Sequence, residues 1–238
     1  QNAMQLPAIG QGTGDTFWSS DIPYHKKVAL LRLGIELGMG FIDTAEEYGD
    51  GLSEEIVGEA IEPVRERVVV ATKVSTNHLS YEEVLKAADR SLERLKTDYI
   101  DLVLVHSDGN DMDVLDQEVY PTLAELKQQG LIRAFGFSGK TIEGGIRALD
   151  GGDCAMVTYN LQQQQERPVL DHALSHNKGI LIKKALASGH ICLQGDDPMF
   201  ASLQLIYSHP AVASAIIGTI NPGHLRENVA TALRVLHR

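Results

Sequence analysis

The chain has 238 residues, 43% of them apolar and 22% charged, which is the balance of a folded globular protein. Its 21 basic and 32 acidic side chains leave a formal charge of −11, with a pI near 5.2, and so argue against nucleic acid or an anionic membrane surface as partners. No apolar run reaches the roughly 18 residues that span a bilayer, no signal segment opens the chain, and Cys154 and Cys192 are too few for a disulfide scaffold or a cysteine zinc cluster.

Apolar, β-branched runs recur at residues 6–10, 40–44, 68–73, 99–106, 132–138, 155–160, 179–185 and 213–218. Most are continuous rather than alternating, the pattern of parallel strands covered on both faces. Helical patterns fall between them at 25–37, 53–61, 81–95, 120–129, 141–149, 168–177 and 199–208, and the last strand leads into one more helix. The segment 81–95 shows the basis. Ser80 and Glu83 form a capping box, while Val84, Leu85, Ala88, Leu92 and Leu95 line one face. Gly38 and Gly130 stand just past helix ends, where a left-handed residue is needed. Eight such units of about 30 residues predict a (β/α)8 TIM barrel occupying residues 4–238, with Gln1-Asn2-Ala3 a cloning remnant. A doubly wound open sheet is the competing architecture, but it usually stops at five or six strands. The expected setting is cytoplasmic.

A barrel of this kind carries its site at the C-terminal ends of its strands. The second strand ends at Asp43, with Tyr48 five residues on; the third delivers Lys73 and the fourth His106. Strand parity puts Lys73 on the face of Val69 and Ala71, and His106 on the face of Leu102 and Leu104, so both point into the mouth. Any one of these has an ordinary reading as a solvated loop or turn residue; the four together on neighbouring strands do not. A lysine beside a tyrosine is expected to lower the phenol's pKa, a paired aspartate to hold the lysine charged, and a histidine to hydrogen-bond a substrate oxygen. Such a group can protonate a carbonyl that receives a hydride, and the hydride has to come from a cofactor.

At these residues the chain resembles the aldo-keto reductase family. The matching stretches are Leu37-Gly-Met-Gly-Phe-Ile-Asp43-Thr-Ala-Glu-Glu-Tyr48-Gly, Ser53-Glu-Glu-Ile-Val-Gly58, Thr72-Lys73 and Thr97-Asp-Tyr-Ile-Asp-Leu-Val-Leu-Val-His106. The resemblance implies reduction of a small aldehyde or ketone by NADP(H), with NAD(H) an open alternative. It implies Tyr48 as general acid, Lys73 and Asp43 as its tuning pair and His106 as the residue orienting the carbonyl. The implied cofactor residues are Gly12, Thr13, Asp43, Ser138, Lys183, Leu186, Gly218, Thr219, His224, Glu227 and Asn228, with no metal.

The cofactor half departs from the family pattern. Gly139 stands where a side-chain amide is usual, and Met156 replaces a glutamine. Lys183 takes the place of a ring that stacks on the nicotinamide, while Gly218 and His224 replace two basic groups that clasp a 2′-phosphate. Arg226 is available as a substitute cation. Since strand residues alternate faces, at most one of Lys183 and Lys184 lines the barrel. Two rival functions therefore stand beside carbonyl reduction: a Schiff-base lyase using Lys73 or Lys183, and a cofactor-binding regulatory subunit without turnover.

Other signals carry less. Gly10-Gln-Gly12-Thr-Gly14 has its third glycine misplaced for a dinucleotide fingerprint. His172 and His176 lie four apart on a helix without a visible third ligand, and so read as a solvated face. Phe17 and Trp18 either line the pocket or cover the core. The short joins at 12–17, 75–78 and 194–197 read as places where flexible loop residues are missing.

Overall fold

The continuous apolar runs become strands whose two faces are both buried, one by a ring of helices and the other by the strands' own inward side chains. The structure, a computed structural model, describes residues 3–193 and 195–237. Its strands are β1 (Ile9–Gly12), β2 (Phe41–Asp43), β3 (Val69–Ser75), β4 (Ile100–His106), β5 (Ile132–Ser138), β6 (Cys154–Thr158), β7 (Gly179–Lys183) and β8 (Val212–Ile217). They form a closed parallel barrel in chain order, with β8 returning to pair with β1 through Ile9↔Ala215 and Gln11↔Ile217. This is the predicted (β/α)8 TIM barrel.

The helices are α1 (Asp15–Trp18), α2 (Tyr24–Glu36), α3 (Leu52–Ile61), α4 (Tyr81–Arg94), α5 (Asp111–Leu115), α6 (Val119–Gln128), α7 (Ile142–Gly151), α8 (Arg167–Ser175), α9 (Pro198–Tyr207) and α10 (Pro222–Leu236). Short 3-10 segments occupy Glu62–Arg67 and Ala187–Leu193. The capping box at Ser80 forms as expected, its backbone N–H and hydroxyl both donating to Glu83 Oε2. Gly38 and Gly130 take φ of +96° and +79° at their helix ends. Among the described residues no helix is long and apolar enough to cross a membrane.

Two apolar layers result. Phe41, Ala71, Leu102, Leu104, Met156, Leu181 and Ile216 fill the barrel interior. The alternate positions, among them Ile42, Val70, Val103, Val105, Ala155, Ile180 and Ala215, face the helices in a larger cluster. Phe17 is buried in that outer core, whereas Trp18 packs over Gly49 beside the mouth.

The first strand starts later than its apolar run implies. Leu6 packs against the barrel interior from below, and pairing begins only at Ile9, because Pro7 has no N–H to give the ladder. The seventh strand stops at Lys183, since Lys184 takes a left-handed φ of +54°. The joins at 12–17 and 75–78 are continuous hydrogen-bonded turns, closed by Phe17 N–H to Gly14 O (2.8 Å) and His78 N–H to Ser75 O (3.0 Å). The third join begins at Gln194, and Gln1 and Asn2 of the presumed remnant lie at the start; all three fall outside the described residues.

Candidate active site

Parallel pairing sets Asp43 beside Ala71, Lys73 beside Leu104 and Ser75 beside His106, so three adjacent strands raise their polar ends at one rim. Tyr48 reaches the same place from the turn after β2. The Lys73 ammonium, 2% exposed, is the centre of the group. It donates to Asp43 Oδ2 at 2.9 Å, to Thr44 O at 3.0 Å and to the Tyr48 hydroxyl oxygen at 3.1 Å. An ammonium has three protons, and all three are committed. Tyr48 is therefore an acceptor toward Lys73, and its own O–H is left to donate elsewhere. The His106 ring meets the Tyr48 ring edge-on at 6.0 Å.

Burial sets the proton affinities. It raises the Tyr48 phenol above its ordinary value of 10.0, outweighing the downward pull of Lys73. The expectation from the sequence was the reverse; a neighbouring charge is visible in sequence, and the desolvation that opposes it is not. Lys73 is also buried, which by itself favours the neutral amine, but Asp43 and Tyr48 reverse that and raise its pKa above 10.5. His106 is held down to about 4 by burial and then by Lys73, with Glu47 opposing. It is neutral at pH 7. Glu47 Oε2 lies 3.1 Å from His106 Nδ1 but off the hydrogen-bonding direction, so that buried nitrogen has no hydrogen-bond partner.

The residues assigned to a cofactor divide into several groups. Thr13 is fully buried, and its hydroxyl is already engaged, donating to Asp43 O and accepting from Ser53. Asp43 Oδ1 is buried without a partner, an acceptor suited to a sugar hydroxyl. Gly12 and Gly218 face each other across the β1–β8 seam, and a Cβ on Gly218 would stand 3.3 Å from Gly12 O. Bare backbone at this seam, beside an orphaned carboxylate oxygen, is compatible with a dinucleotide at the mouth. Thr219 accepts from Asn221 N–H at 3.2 Å. His224 and Glu227 are exposed on α10, Asn228 is buried there, and Leu186 packs on the outer core.

Lys183 points inward and Lys184 outward, as alternation requires. The Lys183 ammonium donates to Ser138 Oγ at 3.1 Å and to Gly139 O at 2.8 Å. It has no carboxylate within ion-pair distance among the described residues. Burial holds it at about 8; Lys73, Lys184 and Lys140 add to the depression and Glu166 opposes it. Gly139 is locked as glycine, because a Cβ there would stand 2.8 Å from Asp111 Oδ2. That carboxylate accepts from Lys140 N, Thr141 N and Thr141 Oγ1, and so builds the turn after β5. Met156 belongs to the interior filling beneath Ser138, its register partner.

Three acidic residues of the mouth escaped the sequence reading. Glu47 lies beside His106, Asp111 shapes the β5 turn, and Glu166 follows the run Gln162–Gln165. Glu166 Oε2 accepts from Thr158 N–H, while its buried Oε1 has no partner. Only the adjacency of Glu47 to Tyr48 could have drawn attention in the sequence.

The aldo/keto reductase family model matches residues 8–197. Methylglyoxal reductase YeaE of Escherichia coli is 33% identical over 249 residues, covering 95% of this chain and 86% of that protein. A crystal structure assigned as an aldo-keto reductase from Pseudomonas aeruginosa superposes with a TM-score of 0.87 at 48% identity, covering 96% of this chain and 91% of that one. An aldo/keto reductase from Klebsiella pneumoniae in complex with NADP and acetate gives 0.82 at 29% identity, covering 95% and 86%. The chain belongs to the aldo/keto reductase family.

Proposed function

We propose that this chain reduces the carbonyl group of a small aldehyde or ketone to an alcohol with NADPH, and that Tyr48 supplies the proton. The observation that carries the reading is the direction of one hydrogen bond. Lys73 donates to the phenol oxygen, so the phenol proton faces the mouth, and burial keeps it on the oxygen at neutral pH.

When bound, a reduced nicotinamide supplies the hydride to the carbonyl carbon. Tyr48 gives its proton to the carbonyl oxygen. The phenolate left behind is stabilised by the Lys73 ammonium at 3.1 Å, and Asp43 keeps that ammonium charged from the other side. His106, neutral and rigid on its strand, holds the carbonyl oxygen against Tyr48 by a hydrogen bond. Lys183, Ser138 and the free Asp43 Oδ1 would hold the cofactor, with the bare backbone of Gly12 and Gly218 beside it. The NADP of the Klebsiella relative and the substrate named for the E. coli relative support NADPH and a small 2-oxoaldehyde such as methylglyoxal.

A lyase that uses Lys73 as its amine fits poorly, because all three ammonium protons are bonded and Asp43 holds the charge. Lys183, held near 8, is the amine that reading would require; borohydride trapping of a carbonyl on Lys183 would favour it. The direct test is titration with NADPH and NADH by fluorescence, then oxidation of NADPH across an aldehyde panel. Tyr48→Phe should lower kcat by about 10²–10⁴-fold while NADPH binding and the circular dichroism spectrum persist. Binding without turnover on any carbonyl would favour a regulatory subunit, and failure both to bind and to oxidise NADPH would overturn the proposal.

A further inference from the structure

We propose that Asp150, His172 and His176 form a metal site on the outside of the barrel, one that takes a divalent cation of the zinc class and ties α7 to α8. The two histidines lie four apart on α8, so they are neighbours on the helix surface. A pair is a weak ligand set, since protein zinc sites use three or four side chains. The third comes from α7. Asp150 Oδ1 lies 2.9 Å from His172 Nε2, and one ligating atom from each of the three residues falls within 4.8 Å of the other two.

Geometry and chemistry agree with a cation at this point. Tetrahedral zinc with nitrogen and oxygen ligands at about 2.0–2.2 Å sets those atoms about 3.3 Å apart. The His172–Asp150 pair needs to open by only a few tenths of an ångström to admit the ion. The two imidazoles lie face to face with centroids 4.0 Å apart, which sets both rings beside the Asp150 carboxylate. An ion pair between His172 and Asp150 accounts for two of the three residues, and His176 is held beside them by its own helix and by the stacked rings.

The direction of the His176 ring is the second observation. His176 Nδ1 lies 2.9 Å from the backbone oxygen of His172, so Nδ1–H donates to it and Nε2 keeps its lone pair. Metal-binding histidines almost always donate their other ring N–H in this manner, which fixes the tautomer and the ring direction. Asp150 and His176 are exposed and His172 is half-buried, so an ion reaches the site directly from solvent. A fourth position remains for water. The site stands at the C-terminal ends of two barrel helices, on the face opposite the strand ends that carry the mouth, where residues serve stability. Its function is to link the β5 and β6 units, independently of carbonyl reduction.

The experiment uses the full chain freed of metal with a chelator, then titrated with ZnCl₂ by calorimetry. One Zn²⁺ per chain should bind with an affinity in the micromolar range, and saturating Zn²⁺ should raise the Tm. His176→Ala and Asp150→Asn should each weaken binding by roughly tenfold or more and abolish the rise in Tm. Melting of both variants in chelator should match the parent, which separates lost ligation from lost folding. Absence of saturable binding below about 1 mM overturns the site, as does either variant binding Zn²⁺ as tightly as the parent.

Discussion

Lys183→Met should make this protein more stable at neutral pH, and the gain should disappear in alkali. The Lys183 ammonium is held between a hydroxyl and a carbonyl with no carboxylate in contact, and its pKa falls from 10.5 to about 8. A tenfold change in proton affinity is worth about 1.36 kcal/mol, so keeping this charge at pH 7 costs the fold about 3 kcal/mol. Methionine removes the charge at similar length but leaves Gly139 O without its donor, a loss of about 1 kcal/mol. The net expectation is a gain of about 2 kcal/mol. Below pH 8 both folded and unfolded chains carry the proton and the whole penalty applies. Between 8 and 10.5 the unfolded chain holds more of it, so the parent gains stability as pH rises; above 10.5 neither state carries it. Urea unfolding of parent and variant at pH 7 and pH 10 measures the difference directly. A variant less stable than the parent at pH 7, or a gap that does not narrow with pH, would refute the reasoning. Retention of so expensive a charge is expected only where it serves a ligand.

The Asp43→Asn change leaves Lys73 buried without its carboxylate and should destabilise the protein by about 3–5 kcal/mol, read as a fall in Tm. His106 should titrate near 4 in an NMR pH series rather than near 6.5, so kcat/KM should run flat through pH 6.5. The stability that neutral His106 contributes is complete above pH 6.5 and is lost as pH falls through about 4; an inflection at 6.5 that disappears in His106→Gln would contradict this. In Gly58→Ala the new methyl would collide with Arg94 O and stand 2.9 Å from Leu95 Cα, where α3 crosses the end of α4. Overpacking of this kind should cost about 1–3 kcal/mol, seen in the urea midpoint.

Strands with two buried faces were legible because their composition says so without reference to neighbours; the run 132–138 is the strand Ile132–Ser138 itself. The mouth was legible where spacing and chain order suffice, as with Asp43, Lys73 and His106 on successive strands. What escaped depends on distance between segments. The short α1 and α5 carry too few residues for a periodic signal. Glu166 and Asp111 acquire their roles only from loops brought beside them, and Asp150 meets His172 only because α7 packs on α8. The direction of the Tyr48 shift failed for a related reason: burial is a property of the closed barrel.

The seam between β1 and β8 has a consequence for how the molecule is made. Asp43, Tyr48, Lys73 and His106 all leave the ribosome before β5 is made, and neighbouring strands bring them together with little loop closure. Gly218 and α10 follow much later in the chain, and the seam against Gly12 exists only once β8 has docked beside the first strand. A chain that stops short of β8 thus carries the residues of its proton donor but lacks the seam beside Gly12. Nucleotide binding reports that the ring has closed, and a dinucleotide gripping both sides of the seam would resist its reopening to proteases.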